Sequence, residues 1–261
     1  MRLKLICSGT GRLWSLDAKL KTLILFFLCT SSQLIAFPAI AGPPFQTDDP
    51  EPVDYLHWEI YVASIQEYQR LETDATLPHI EINYGVVPNV QLHLIAPMGY
   101  VNGMSGAKYG YSNTEIGVKY RFVQDTDNAL QIGVFPLVEL PTGDRAVSSG
   151  SAQVYLPLWV QKSWGKFTTY GGAGYWLNYG VGNKNWIFAG WEAQYDFSKA
   201  LTLGGETYYH TPQTVGAQSG AGFNVGGIVN VDDHNHILFS AGHSVSGVVA
   251  TTVYVGYQFT I

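Results

Sequence analysis

Cysteine is nearly absent: the chain of 261 residues has two, Cys7 and Cys29. Charge is scarce as well. Lys, Arg, Asp and Glu make up 13% of the residues, about half the roughly 25% of soluble domains. A disordered chain is excluded, because 46% of the residues are apolar. A basic nucleic-acid binder is excluded too: 14 Lys and Arg stand against 20 Asp and Glu, with no basic patch beyond the extreme N-terminus. Past residue 41 no run of 18 apolar residues occurs, so no transmembrane helix is expected there. In place of these features the chain carries 29 glycines and 14% aromatic residues.

The N-terminus accounts for part of this bias. Arg2, Lys4, Arg12, Lys19 and Lys21 precede the apolar run Leu23–Leu28, and Ala39-Ile40-Ala41 fits a small-x-small cleavage pattern. Residues 1–41 are therefore expected to be a secretory signal peptide, with Gly42 as the new N-terminus. Both cysteines lie in that segment, so the exported chain needs no disulfide. Removing its five bases and one acid leaves nine bases against nineteen acids, a net charge of −10. Residues 42–55 hold four prolines and four acids, which rules out a regular strand or helix.

From His57 onward, apolar and polar residues alternate with period two. In one segment Ile116, Val118, Tyr120 and Phe122 share a face, and Glu115, Gly117, Lys119 and Arg121 share the other. Twelve such segments lie near 56–68, 77–86, 90–98, 112–122, 129–140, 152–163, 167–178, 186–197, 201–210, 221–231, 236–244 and 249–261. Most have the length a tilted strand needs to cross a bilayer. Short connections (87–89, 123–128, 164–166, 198–200, 232–235) alternate with mostly longer ones (69–76, 99–111, 141–151, 179–185, 211–220, 245–248). The pattern predicts an all-β, antiparallel up-and-down transmembrane β-barrel of about twelve strands over residues 56–261.

The face assigned to lipid carries no charge: Val253, Val255, Tyr257, Phe259 and Ile261 in the last segment, and Ile187, Ala189, Trp191, Ala193, Tyr195 and Phe197 in the eighth. Aromatics gather beside the short turns, among them Trp58, Tyr84, Tyr120, Trp164 and Phe167, as an interfacial girdle requires. The final segment keeps its alternation but ends on Ile261 rather than an aromatic residue.

Several blocks carry a resemblance: Gly42-Pro-Pro-Phe-Gln-Thr-Asp-Asp-Pro-Glu-Pro followed by His57-Trp58-Glu59, then Glu81–Gly85, Glu115–Arg121, Pro141–Asp144 and Gly171–Tyr175. Together they resemble the meta-pathway phenol-degradation outer-membrane family of bacterial β-barrels, the "transporter" family. The resemblance spans nearly the whole chain after residue 41. It implies uptake of aromatic compounds and brings no catalytic residues.

The alternation turns His57, Glu59, His79, Glu81, Glu115, Lys119, Arg121, Glu139, Glu192 and Glu206 inward, and these form the candidate lumen and constriction set. Charges in so narrow an interior must pair or stay hydrated. Lys119 and Arg121 are expected among Glu59, Glu81 and Glu115, and the excess of acids disfavours anionic solutes. Tyr61, Tyr155, Trp159, Tyr170, Trp176 and Tyr208 are the candidate lumen aromatics, either lining a path for aromatic solutes or packing the interior. Residues 42–55 either fold back as a plug or hang as a periplasmic tail.

Other motifs carry less. Gly242-His243-Ser244-Val245-Ser246-Gly247 misplaces the second glycine of a nucleophile elbow. Gly220–Gly226 sits within an alternating strand rather than at a strand–helix turn. Asp125–Asn128 and Asp232–His236 fall in turns, where Asp and Asn are ordinary. No metal, cofactor or catalytic residue is assigned, and no enzyme activity is expected. The expected role is passage of small solutes, aromatic or hydrophobic ones included, across the bacterial outer membrane. Its partners are outer-membrane lipid, the solute, and the barrel-assembly machinery. The alternatives are a lipid-modifying barrel enzyme and a structural barrel with a filled lumen.

Overall fold

A computed structural model describes residues 43–261; the segment read as a signal peptide lies outside the described residues. Fourteen strands follow one another: β1 Trp58–Gln69, β2 Thr73–Val87, β3 Val90–Gly103, β4 Gly106–Tyr111, β5 Thr114–Asp125, β6 Leu130–Val134, β7 Leu137–Leu140, β8 Gln153–Trp164, β9 Phe167–Asn178, β10 Trp186–Ser198, β11 Leu201–His210, β12 Gly220–Asn230, β13 Asn235–Ser246 and β14 Ala250–Thr260. Each pairs antiparallel with its neighbours, and β1 pairs with β14 from Glu59↔Thr260 to Gln69↔Ala250. That pairing closes the sheet, so every spanning strand has two partners, and β4 alone pairs on one side only, with β3. No helix among the described residues is long and apolar enough to cross a membrane.

Twelve strand positions go around the barrel, because two of the fourteen strands add none. β6 and β7 form one position, interrupted at Phe135-Pro136. Both pair with β5 and β8, and on β8 the register runs on unbroken, Gly133↔Trp159 and Leu137↔Tyr155. Pro136 has no N–H to offer the ladder, and its carbonyl instead accepts from Val118 N at 3.1 Å. β4 folds back on the far end of β3, from Met98↔Tyr111 to Gly103↔Gly106. Residues 99–111, expected as a loop, are thus mostly a hairpin. The expected connection 69–76 likewise shortens to a turn between β1 and β2. In both places the strands continue past the membrane-spanning length.

Side chains sort by parity. Outward, Leu156, Leu158, Trp191, Val255 and Phe197 remain exposed, as lipid contact requires. Aromatic pairs mark the short-turn rim: Trp58 stacks on Tyr84 at 4.2 Å, Tyr195 meets Phe197 at 5.1 Å, and Trp164 stacks on Phe167 at 6.0 Å. Inward, one apolar cluster joins Tyr61, Ala63, Ile228, Leu238 and Tyr254. A second joins Phe135, Tyr155, Trp159 and Phe188, with Leu137, Trp176, Trp186 and Tyr208 packed against it.

Candidate functional site

The stretch before β1 has too many prolines to form hydrogen-bonded structure of its own, so its backbone and acids take partners from the wall. It crosses the interior from β13 to β3. The carbonyl of Pro44 accepts from Ser240 Oγ at 2.6 Å. Gln46 N donates to Glu206 Oε1 at 2.9 Å, and Thr47 donates to Glu206 Oε2 through its amide and its hydroxyl. Asp48 Oδ1 and Asp49 Oδ2 lie 2.9 and 3.5 Å from Lys119 Nζ. Glu51 accepts from Gln131 and Gln161 and lies 3.4 Å from Arg121 Nη1. Val53 N donates to Gln91 Oε1 at 2.8 Å. Thr47 and Asp49 are fully buried.

The wall has room for this segment where it lacks side chains. A Cβ at Gly85 would stand 2.0 Å from the carbonyl oxygen of Asp54, and one at Gly190 would stand 2.1 Å from Thr47 Oγ1. Gly133 sits against Pro50 in the same way, at 3.0 Å. The chain then turns into β1 through Leu56, which has φ of 67° and donates to Gly85 O at 2.7 Å.

Lys119 and Arg121, expected among Glu59, Glu81 and Glu115, take their ion pairs from the segment instead, with Glu59 within electrostatic reach of Lys119. Lys119 turns to Asp48 and Asp49, and Arg121 to Glu51, Gln131 and Asn89. The wall acids have other partners. Glu59 accepts from Tyr61 Oη at 2.7 Å. Glu81 accepts from Asn83 at 2.8 Å, and His93 bridges Asn83 Oδ1 at 2.7 Å and Glu115 Oε1 at 3.1 Å. Glu139 accepts from Asn113 and Gln153 near the opposite mouth. Glu192 faces Glu206 across the β10–β11 pair, fully buried with neither oxygen hydrogen-bonded. His79 is buried against Thr76 Oγ1 at 2.8 Å. His57 is not brought to the others: it precedes β1, is exposed, and contacts the carbonyl of Tyr55.

The aromatics divide between two walls. Tyr155 stacks on Trp176 at 4.5 Å, Trp176 on Trp186 at 5.3 Å, and His210 meets Trp186 edge-on at 6.2 Å. Trp159 and Tyr208 flank Phe188 at 6.5 and 6.4 Å. Tyr61 lies away from this ladder, in the cluster of Tyr254. Tyr170 pairs with Glu192 across β9 and β10. Trp186, Phe188, Phe135 and Tyr254 belong with the candidate aromatics although the sequence reading did not single them out. For Trp186 and Phe188 the signal was present, since they alternate with the outward Ile187 and Ala189.

Ser244 Oγ accepts from Ala250 N at 2.7 Å, and the exposed His243 ring contacts Thr251 Oγ1 at 3.0 Å. These two side chains clamp the β13–β14 hairpin and do not meet as nucleophile and base. Asp125 and Asp232 cap the backbone of their own turns. Among the described residues no group of three or more His, Cys, Asp or Glu could hold a metal ion. The arrangement can hold a peptide segment, or a solute in its place, between carboxylates, two bases and aromatic rings.

No family model and no curated protein matches the chain. Solved structures share the fold. The COG4313 outer membrane channel from Pseudomonas putida F1 is 14% identical, with a TM-score of 0.68 over 82% of this chain and 98% of that one. The KdgM porin is 14% identical, with a TM-score of 0.55 over 76% and 98%. The translocator domain of the autotransporter NalP from Neisseria meningitidis is 9% identical, with a TM-score of 0.54 over 94% and 96%. At these identities the likeness establishes the architecture, that of outer-membrane barrels.

Proposed function

We propose that the chain is exported by its N-terminal 41 residues and inserts in the outer membrane of a diderm bacterium, where it is a channel for small solutes. Residues 43–54 are its stopper. The carrying observation is that this segment spans the interior, held to Lys119, Arg121, Gln91, Glu206 and Ser240 on four different strands. A solute passes when the segment shifts. The aromatic ladder from Tyr155 to Trp186 supports aromatic solutes, and so does the resemblance of the N-terminal block to the phenol-degradation family.

The test is conductance in planar bilayers. The chain from residue 42 is expected to conduct poorly, and a chain lacking residues 43–54 to conduct more. Equal conductance of the two refutes the stopper. Liposome uptake comparing phenolics with sugars and cations then addresses selectivity. The filled interior also favours a purely structural barrel, and that reading requires that neither form passes any solute.

A further inference from the structure

Lys119 and Arg121 are the two buried Lys or Arg side chains among the described residues. Arg121 is anchored on its own wall by Asn89 and Gln131. Both ion pairs of Lys119 go to the segment, at Asp48 and Asp49. The same ammonium stands 5.0 Å from the centre of the Phe135 ring. Phe135 shares a cluster with Tyr155, Trp159 and Phe188, against which Trp176, Trp186 and Tyr208 pack. Along that cluster Tyr155 Oη, Trp159 Nε1 and Trp186 Nε1 are buried without a hydrogen-bond partner. With the segment withdrawn, a buried cation is left beside a bank of aromatic rings that still has free polar atoms.

We propose that this is a binding site for aromatic carboxylates, and that the segment occupies it as a mimic of such a solute. The solute's carboxylate takes the place of Asp48 on Lys119, and its ring lies against Phe135 and the rings beyond it. A charged hydrogen bond gives the head group its affinity, and ring contact gives selectivity. Electrostatics favour the exchange. The segment brings Asp48, Asp49 and Glu51 into an interior already lined by Glu59, Glu81, Glu115, Glu192 and Glu206, whereas a monocarboxylate brings a single negative charge. The expectation of an anion-averse lumen is thereby reversed at this one place. The inference rests on the channel reading above and adds the solute class.

The experiment is a titration of intrinsic tryptophan fluorescence of the full exported chain in detergent, with benzoate, benzyl alcohol and cyclohexanecarboxylate as probes. Benzoate is expected to bind saturably, and both other probes at least about tenfold more weakly, as loss of a charged hydrogen bond or of ring contact requires. Lys119→Gln weakens benzoate binding to a similar degree, and Lys119→Arg retains most of it. Asp48→Asn/Asp49→Asn leaves the wall untouched and tightens benzoate binding by freeing the ammonium. Equal binding of benzoate and benzyl alcohol overturns the proposal, as does unchanged benzoate affinity in either the Lys119→Gln or the double Asn variant. Conductance of the chain lacking 43–54, measured without any probe, keeps the two ideas apart. A conducting barrel that ignores benzoate sinks only the solute class, and a benzoate binder that never conducts sinks only the channel.

Discussion

Thr47 donates to Glu206 twice, through its amide at 2.7 Å and its hydroxyl at 2.6 Å, across 159 residues of chain. Gln46 N adds a third bond to the same carboxyl group, and a hydrogen bond contributes about 0.5–1.5 kcal/mol net. Glu206→Gln is therefore expected to loosen the segment by about tenfold or more while leaving the β10–β11–β12 ladder intact. Single-channel recording should show more frequent open bursts. A variant as silent as the parent chain would mean that this latch does not hold the segment.

Gly190 tests the same docking from the wall side. An added methyl would meet Thr47 Oγ1 at 2.1 Å, and the segment is the softer partner because β10 is locked between β9 and β11. Gly190→Ala should raise conductance without lowering the temperature at which the barrel loses its compact migration on a gel. Loss of both together would place the strain in the sheet instead.

Acidity should act on the segment through Asp49, which lies outside the spanning strands. Burial pushes its carboxyl well above the ordinary range, Lys119 pulls it back, and Asp48 and Glu51 add to the rise. Glu192 on β10 is also within electrostatic reach. A group whose bound state holds its proton more tightly favours that state at low pH, and the advantage fades as pH climbs through the raised value. Docking is thus expected to tighten on acidification and relax as pH rises beyond the usual carboxylate range. Conductance measured against pH should rise with pH in the parent chain and flatten in Asp49→Asn. An opposite slope would mean that the pairs with Lys119 and Arg121 dominate.

The outer surface sets a separate expectation. Leu158 sits mid-strand in β8 with half its surface open to lipid. Leu158→Arg should cost about 2–4 kcal/mol, as charges near the midplane of such barrels do, read from denaturant unfolding in vesicles. A negligible cost would put the apolar belt elsewhere.

Much of the fold was legible because lipid imposes a strict rule at every second residue. Val253, Val255, Tyr257 and Phe259 obey it, and the turns at Pro88-Asn89, Gly165-Lys166 and Lys199-Ala200 interrupt it where the chain reverses. Beyond the membrane the rule lapses. Gly99, Gly103, Gly106 and Gly110 dilute the pattern around Val101, Tyr109 and Tyr111, so the β3–β4 hairpin reads as loop. Pro136 marked no boundary, because apolar residues flank it on both sides. The partners of the wall bases were hidden for another reason. Asp48 and Lys119 are 71 residues apart, and no local periodicity encodes which acid a lysine will meet when carboxylates outnumber bases in the same cavity. The acids of the segment were visible as a group; their places on the wall were not.

The turn at Leu56 carries one last implication. Near it, main-chain ties run from Leu56 and His57 to Gly85, and the segment further in is held to the wall through side chains, with several bonds gathered at Glu206, Lys119 and Glu51. Unseating the stopper then swings a strap on a one-ended hinge and breaks no rung of the cylinder. The melting temperature of the protein and the ease with which it opens are two separate dials, and a substitution can turn either one alone.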